Sequence, residues 1–214
     1  MTITPLQLVS ITDFILAAIC LLISGALYGK SNPFSISNRS SNLVLFIFFV
    51  GMAAFMGGLD HGFFQVIDQR YIPTTLTYLS IAFATYFLFR YTIQQFFEGN
   101  LAKVLAVIAL IQLILFVGCS FIIHQFTLVI ANYSPILILF TVLNILHLKS
   151  KKGNVYFVIT CITIVIATLV QFLGFQISPL LNEDTLYHLI AIAGYIVFYF
   201  GVLEKIILEQ KINS

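Results

Sequence analysis

Seven long apolar stretches follow one another along the chain, separated by short segments rich in Gly, Pro, Asn and charged residues. Each stretch holds about 20 residues, enough to cross about 30 Å of hydrocarbon as an α-helix. None alternates apolar and polar positions as the strand of a membrane barrel does. The pattern predicts an all-α seven-helix bundle forming a single membrane domain over residues 1–214, with spans 5–28, 42–64, 72–91, 101–123, 126–146, 155–176 and 185–207.

Composition supports a membrane protein and excludes several other classes. Hydrophobic residues make up 60% of the chain and charged residues 8%, whereas soluble domains are about half apolar and about a quarter charged. No basic run is long enough to bind nucleic acid. The three cysteines lie far apart inside apolar stretches, which argues against a disulfide framework or a thiolate metal site.

The basic residues predict how the bundle is oriented. Nine of the ten Lys and Arg residues lie in the loops after spans one, three and five or in the C-terminal tail, and the other side holds only Arg70. Short cytoplasmic loops are enriched in Lys and Arg. We therefore expect the N-terminus outside and the C-terminus inside, in the plasma membrane.

Five ionisable residues lie inside or at the edge of a span, toward the side of the bundle that holds Arg70, namely Asp13, Asp60, His61, Asp184 and His188. Ionisable groups in lipid are costly and usually face the bundle interior or a watery cavity, which makes each a functional candidate. With the N-terminus outside, all five fall in the outer third of the membrane. We expect them to converge on one site.

The spacing within this group suits a metal ion. Asp184 and His188 are four residues apart and share one helical face, and small residues before His61 allow the second helix to approach closely. Two imidazoles and a carboxylate are a common zinc set that activates a bound water. We predict His61, Asp184 and His188 as zinc ligands, with Asp13 or Asp60 orienting a ligand or accepting the proton.

Simpler interpretations stand beside the metal site. His61 and His188 lie near helix ends, where an imidazole can reach the headgroups and do nothing further. Asp184, with Asn182 and Glu183, can cap the seventh helix and favour the positive end of its dipole. Asp13 lies too deep for a cap, so it requires a partner on another helix or a bound cation.

The seventh span, from Asp184-Thr-Leu-Tyr-His188 to Gly201, resembles the last helix of the CREST superfamily, which includes the progestin and adipoQ receptors, haemolysin III proteins and alkaline ceramidases. In that superfamily a His-x-x-x-His opens the seventh helix and a His ends the second. The resemblance implies a seven-helix fold and zinc bound at the positions of His61 and His188.

The chain also departs from the superfamily pattern. Asp184 stands where the first His of the seventh-helix pair would be, and Gly57 stands where the family has a Ser. The third span has no acidic residue where the family carries an Asp. This pattern is closest to an uncharacterised bacterial branch of the superfamily.

These observations give three functional hypotheses. The first is a zinc-dependent hydrolase, or a degenerate relative, acting on a lipid amide or ester that enters from the outer leaflet. The second is a transporter of a small solute or ion. Transport would account for Asp13 and for Gln171 and Gln176 at the end of the sixth span, with Pro135 breaking the fifth helix. The third is a receptor or a structural membrane protein that catalyses no reaction.

Overall fold

Seven helices make up the computed structural model of the chain, which describes residues 3–30, 39–149 and 154–213. They are α1 (Pro5–Tyr28), α2 (Ser40–Leu59), α3 (Tyr71–Phe96), α4 (Gly99–Ser120), α5 (Phe126–Leu146), α6 (Asn154–Phe172) and α7 (Glu183–Asn213). A π-helical turn, Asp60–Phe64, continues α2. Within the described residues there is no strand, and all seven helices are long and apolar enough to cross a membrane. The prediction of an all-α chain with seven helices of membrane-spanning length is confirmed for the described residues.

The helix boundaries match the sequence prediction closely except at the ends of α3, α6 and α7. The bounds of α1 and α5 are those predicted, whereas α3 and α7 each run further, to Phe96 and Asn213. Helix α6 ends at Phe172, before the predicted limit at Gln176. Gly174 has a φ of +63°, a left-handed conformation that terminates helices. Gln176 therefore lies in the following loop and does not close α6.

Pro135 lies inside α5 without breaking it. The helix runs from Phe126 to Leu146 with the proline in its interior, so the expected discontinuity is absent. Proline removes one backbone hydrogen bond, but membrane helices tolerate this when neighbouring groups compensate. Nearby, the Gln112 side chain of α4 donates to both the carbonyl and the amide oxygen of Asn132. The transporter hypothesis loses one of its sequence arguments.

Helix packing places α4 at the periphery. The main contacts join α1 to α2, α2 to α3, α6 to α7 and α1 to α7, while α4 packs mainly on α3. Only three residues of α4 are buried, Ala109, Phe116 and Ser120. The remaining helices surround the interior of the bundle, so α4 presents most of its apolar surface outward.

The end of the bundle that holds the C-terminus of α7 is closed by aromatic packing. Phe157 is fully buried and lies 5.4 Å from Phe140 and 5.1 Å from Phe198 between ring centroids. Tyr91 packs edge-on against Phe140 and Phe157. Such offset aromatic pairs add stability beyond the area they bury. The functional candidates all lie toward the opposite end.

A side chain of α7 caps α2 at this closed end. The backbone N–H of Ser40 donates to both carboxylate oxygens of Glu209 at 3.2 and 3.4 Å. A carboxylate satisfies the unpaired N–H groups at a helix N-terminus and interacts favourably with the helix dipole. Arg39 precedes α2 and makes no capping hydrogen bond, so this cap comes from a helix distant in sequence.

Candidate functional site

A cavity of about 460 Å³ lies inside the bundle. Its wall contains residues from α1, α2 with its π-helical turn, α3, α5, α6 and α7. Most of the lining is apolar or aromatic, as in small-molecule sites generally. All five ionisable candidates predicted from sequence line it, together with these polar residues that the prediction had not assigned to the site: Arg70, Thr74, Thr77, Thr85 and Thr160.

The carboxylate of Asp13 lies between two imidazoles. Asp13 Oδ1 is 3.0 Å from His188 Nε2, and Asp13 Oδ2 is 3.3 Å from His61 Nδ1. Asp13 is only 3% exposed, and a buried carboxylate requires pairing of this kind. Asp13 Oδ2 and His61 Nδ1 make no hydrogen bond among the described residues. The partner that the sequence required for Asp13 is therefore a pair of histidines from two other helices.

The hydroxyl of Thr12 holds His188 from the opposite side. Thr12 Oγ1 lies 3.1 Å from His188 Nδ1 and also donates to the carbonyl of Val9 at 2.8 Å. Both ring nitrogens of His188 therefore have a partner, and the hydrogen bond at one nitrogen influences which nitrogen carries the proton. Thr12 is buried and does not line the cavity. It orients His188 and does not reach a ligand.

The π-helical turn after α2 directs Asp60 and His61 into the same cavity. The N–H of Gln65 donates to the carbonyl of Asp60, five residues earlier, at 2.7 Å, which widens the turn. Ser10 Oγ donates to the carbonyl of Gly58 at 2.8 Å. A Cβ at Gly62 would lie 2.5 Å from Ser10 Oγ. The lack of a side chain at Gly62 thus lets α1 approach this turn, and π-helical turns often occur at functional sites.

Glycine also makes room for Asp13 itself. A Cβ added to Gly57 would lie 3.3 Å from Asp13 Oδ1. This contact is tighter than ordinary van der Waals contact, so the lack of a side chain at Gly57 is what gives the acid from α1 its space beside α2.

Asp60 forms an ion pair with Arg70 at the wall of the cavity. Arg70 Nη2 lies 2.6 Å from Asp60 Oδ2, and Arg70 Nε donates to both oxygens at 3.1 Å. Asp60 is buried, whereas the Arg70 side chain is 45% exposed. The hydrogen bond to Asp60, reinforced by its charge, raises the pKa of the Arg70 guanidinium. Asp60 is thus neutralised by Arg70 and is not directed at Asp13 or the histidines.

Asp184 lies in the first turn of α7 and faces the cavity. Its Oδ1 accepts a hydrogen bond from Gln171 Nε2 of α6 at 2.8 Å. Asn182, whose side chain accepts from the N–H of Thr185 at 2.9 Å, provides the hydrogen bond of an N-cap. The predicted capping of α7 therefore involves Asn182, and Asp184 remains available to the cavity.

The predicted zinc ligands do not form a metal site in this arrangement. Among residues 3–30, 39–149 and 154–213, no group of three or more His, Cys, Asp and Glu side chains is placed to hold a metal ion. His61 and His188 each face a different oxygen of Asp13, and Asp184 is bonded to Gln171. Zinc bound by His61, Asp184 and His188 stays a prediction.

Sequence reasoning missed Thr12, Arg70 and the aromatic residues of the cavity wall. The only sequence signal for Thr12 is its position directly before Asp13. Arg70 is the only basic residue on its predicted side of the membrane, which was a usable signal. Tyr195 and Phe198 of α7 also line the cavity. No local pattern distinguishes a cavity-lining aromatic residue from a core residue.

Comparison with known proteins identifies a family but no activity. A family described as a family of unknown function, DUF6962, matches residues 8–206, which extend from α1 into α7. No curated protein and no solved structure matches the chain.

Proposed function

The chain belongs to DUF6962, a family of unknown function, and we propose from the geometry of its cavity that it hydrolyses a lipid amide or ester within the membrane. The observation that carries the proposal is the buried Asp13 between His61 and His188 at one end of a largely apolar cavity. A cavity of this composition suits the hydrocarbon chain of an amphiphile, and the acid and the imidazoles suit proton transfer at its polar group.

His61 is the residue best placed to act as general base and acid. Its Nδ1 faces Asp13, which leaves Nε2 as the nitrogen that can take a proton from water. In the proposed reaction the water oxygen bonds to the substrate carbonyl carbon while His61 Nε2 takes the proton. The intermediate then collapses with cleavage of the C–O or C–N bond, and His61 returns the proton to the leaving group. Asp13 orients the ring and stabilises its cationic form, as the acid of a catalytic triad does.

Orientation and location are part of the proposal. The nine-to-one distribution of Lys and Arg supports an outer N-terminus, which places the Asp13 site in the outer half of the plasma membrane. Lys151 and Lys152, two of the nine, lie outside the described residues. Labelling of a single cysteine at position 182 from either side tests this orientation. Reaction only from the cytoplasm would reverse it.

The resemblance to the CREST superfamily adds zinc to this proposal. Elemental mass spectrometry of the purified protein, beside His61→Ala and His188→Ala, tests it directly. Near-stoichiometric zinc that both variants lose would support a metal-dependent hydrolase. Absence of zinc after reconstitution with the metal would remove that form of the proposal and leave the acid–base form to be tested by activity.

Hydrolysis itself is tested with chromogenic esters and fluorogenic amides of medium-chain fatty acids, presented to the protein in lipid nanodiscs. We expect His61→Gln and Asp13→Asn to lower kcat/KM by about 100-fold or more, the range found for removal of an acid–base group. Gly118→Ala, on the outward-facing α4, is the matched control. Hydrolysis unaffected by both site substitutions would contradict the assigned roles.

One observation favours a second candidate, a proton-coupled transporter. A carboxylate with histidine partners inside membrane helices is typical of proton relays. Transport would acidify or alkalinise proteoliposomes loaded with a pH-sensitive dye, and Asp13→Asn would abolish the signal. A dye response without turnover of any ester or amide would favour this candidate over the hydrolase.

A further inference from the structure

We propose that the polar end of the cavity binds a protonated amine on an amphiphilic ligand, with Asp184 as its counter-ion. This inference rests on the proposed function, because it names the ligand chemistry of the same cavity. It concerns binding alone, so it can be tested without any hydrolysis.

The cavity wall carries more negative than positive fixed charge. Among the described residues, three carboxylates line it and Arg70 is the one side chain there with a permanent positive charge. Arg70 is paired with Asp60 at 2.6 Å, so these two charges balance. Asp13 and Asp184 remain, with two imidazoles beside Asp13. An anionic ligand would be repelled here, and a cationic one would be attracted.

Asp184 is the carboxylate left without an ionic partner. Its hydrogen bond comes from the neutral amide of Gln171, and no side-chain cation within ion-pair distance of it is found in the described part of the chain. It lies in the first turn of α7, the end of a helix at which acidic side chains interact favourably with the helix dipole. A ligand cation would supply the pairing that the protein itself does not.

The other carboxylate without a cation of its own, Asp13, adds negative charge to this end of the cavity. Its oxygens already face His188 Nε2 at 3.0 Å and His61 Nδ1 at 3.3 Å, so it attracts a ligand cation electrostatically without bonding it directly. Asp184 Oδ1 accepts from Gln171, and the N–H groups of an ammonium ion are further strong donors to a carboxylate.

One aromatic residue close to Asp184 along α7, Tyr187, suits the same cation. Tyr187 lies three residues after Asp184, which puts both on one face of α7, and both line the cavity. Ring faces attract ammonium groups, and aromatic cages are a known solution for binding them. Beyond this end the wall becomes apolar, with Leu16, Ile81 and Phe198. An amine joined to a hydrocarbon chain matches both parts.

The experiment compares three probes of equal chain length, dodecylamine, dodecanol and dodecanoate. The full chain is reconstituted in phosphatidylcholine nanodiscs with EDTA, and binding is measured by isothermal titration against empty nanodiscs. We expect dodecylamine to bind about tenfold more tightly than dodecanol, the equivalent of one modest ion pair, and dodecanoate to bind most weakly. Asp184→Asn should remove the preference for the amine, whereas Glu183→Gln, its neighbour outside the cavity wall, should keep it.

Equal affinity for the amine and the alcohol in the wild-type protein would overturn the inference, and this result needs no variant. Retention of the preference in a folded Asp184→Asn protein would overturn the role of Asp184. Asp184→Glu, which keeps the charge, should retain the preference. Failure of the hydrolase proposal is distinguishable, because it would appear as absent turnover with the amine preference intact.

Discussion

Gly57 lies directly against the carboxylate of Asp13, so that a Cβ at Gly57 would approach Asp13 Oδ1 to 3.3 Å. Gly57→Ala should push the carboxylate away from His61 and His188, since this contact is tighter than an ordinary van der Waals contact. We expect ester hydrolysis in nanodiscs to fall about tenfold, because small misplacements of catalytic groups are costly. Gly25→Ala, where nothing lies within 4 Å, should leave hydrolysis unchanged. Equal rates in both variants would contradict the contact.

The close approach of Ser10 to Gly62 gives a compensating pair. Gly62→Ala would place a Cβ 2.5 Å from Ser10 Oγ, so either the hydroxyl turns away and loses its hydrogen bond to the carbonyl of Gly58 or α1 moves away from the turn. We expect Gly62→Ala to lower the melting temperature, and Ser10→Ala/Gly62→Ala to recover part of the loss. A thermal-shift measurement on the two single variants and the double variant gives the coupling. Additive losses would mean that the two residues do not meet.

Thr12 offers a test of how His188 is held. Thr12→Val keeps the shape of the side chain but removes the partner of His188 Nδ1, whereas Thr12→Ser keeps the hydroxyl. We expect Thr12→Val to lower kcat with little change in KM, because the ring loses orientation while the cavity is intact. Thr12→Ser should restore kcat. A change confined to KM would mean that Thr12 contributes to substrate binding and does not orient the His188 ring.

The ion pair between Asp60 and Arg70 should matter more for stability than its partial exposure suggests. Arg70→Gln leaves the buried Asp60 without its cation, and an unpaired buried charge costs several times more than a lost surface ion pair. We expect destabilisation of about 2 kcal/mol, measured by chemical denaturation in detergent. The double variant Asp60→Asn/Arg70→Gln should be less destabilised than Arg70→Gln alone.

Gly201 fits against Phe157 in the aromatic cluster at the closed end of the bundle. A Cβ at Gly201 would lie 2.7 Å from Phe157 Cε1, and Phe157 is fully buried and packed against Phe140 and Phe198. Gly201→Ala should therefore lower the melting temperature by several degrees, since overpacking costs about 1–3 kcal/mol. Gly118→Ala, with nothing within 4 Å, should be neutral or slightly stabilising. The two variants are compared by thermal shift in the same detergent.

The number and placement of the helices followed from the sequence because lipid imposes a length and an apolar composition on every span. The residues at the helix ends were less informative. Helix α6 ends at Phe172, four residues before the predicted limit, and the left-handed Gly174 follows it. Likewise, nothing in the sequence marks Asp60–Phe64 as a π-helical turn.

The sequence was enough to select ionisable residues that line the cavity, but not to say which of them lie against one another. Ionisable residues inside membrane spans are rare enough that Asp13, His61 and His188 could be selected from sequence alone. Which of them meet depends on how helices distant in sequence are rotated against one another. The pairing of Asp13 with both histidines, and of Asp184 with Gln171, results from that rotation. A single sequence contains no record of such contacts.

Helix α4 lies at the edge of the bundle and, among the residues described, contributes none to the cavity wall. Selection on the cavity therefore constrains this helix only through its need to remain apolar, to fit α3 and to keep the hydrogen bonds of Gln112 to Asn132 of α5. The outer face of α4 can therefore vary in sequence. A neighbouring membrane protein, a fluorescent label or a fused domain can be accommodated against this face without changing the residues that line the cavity.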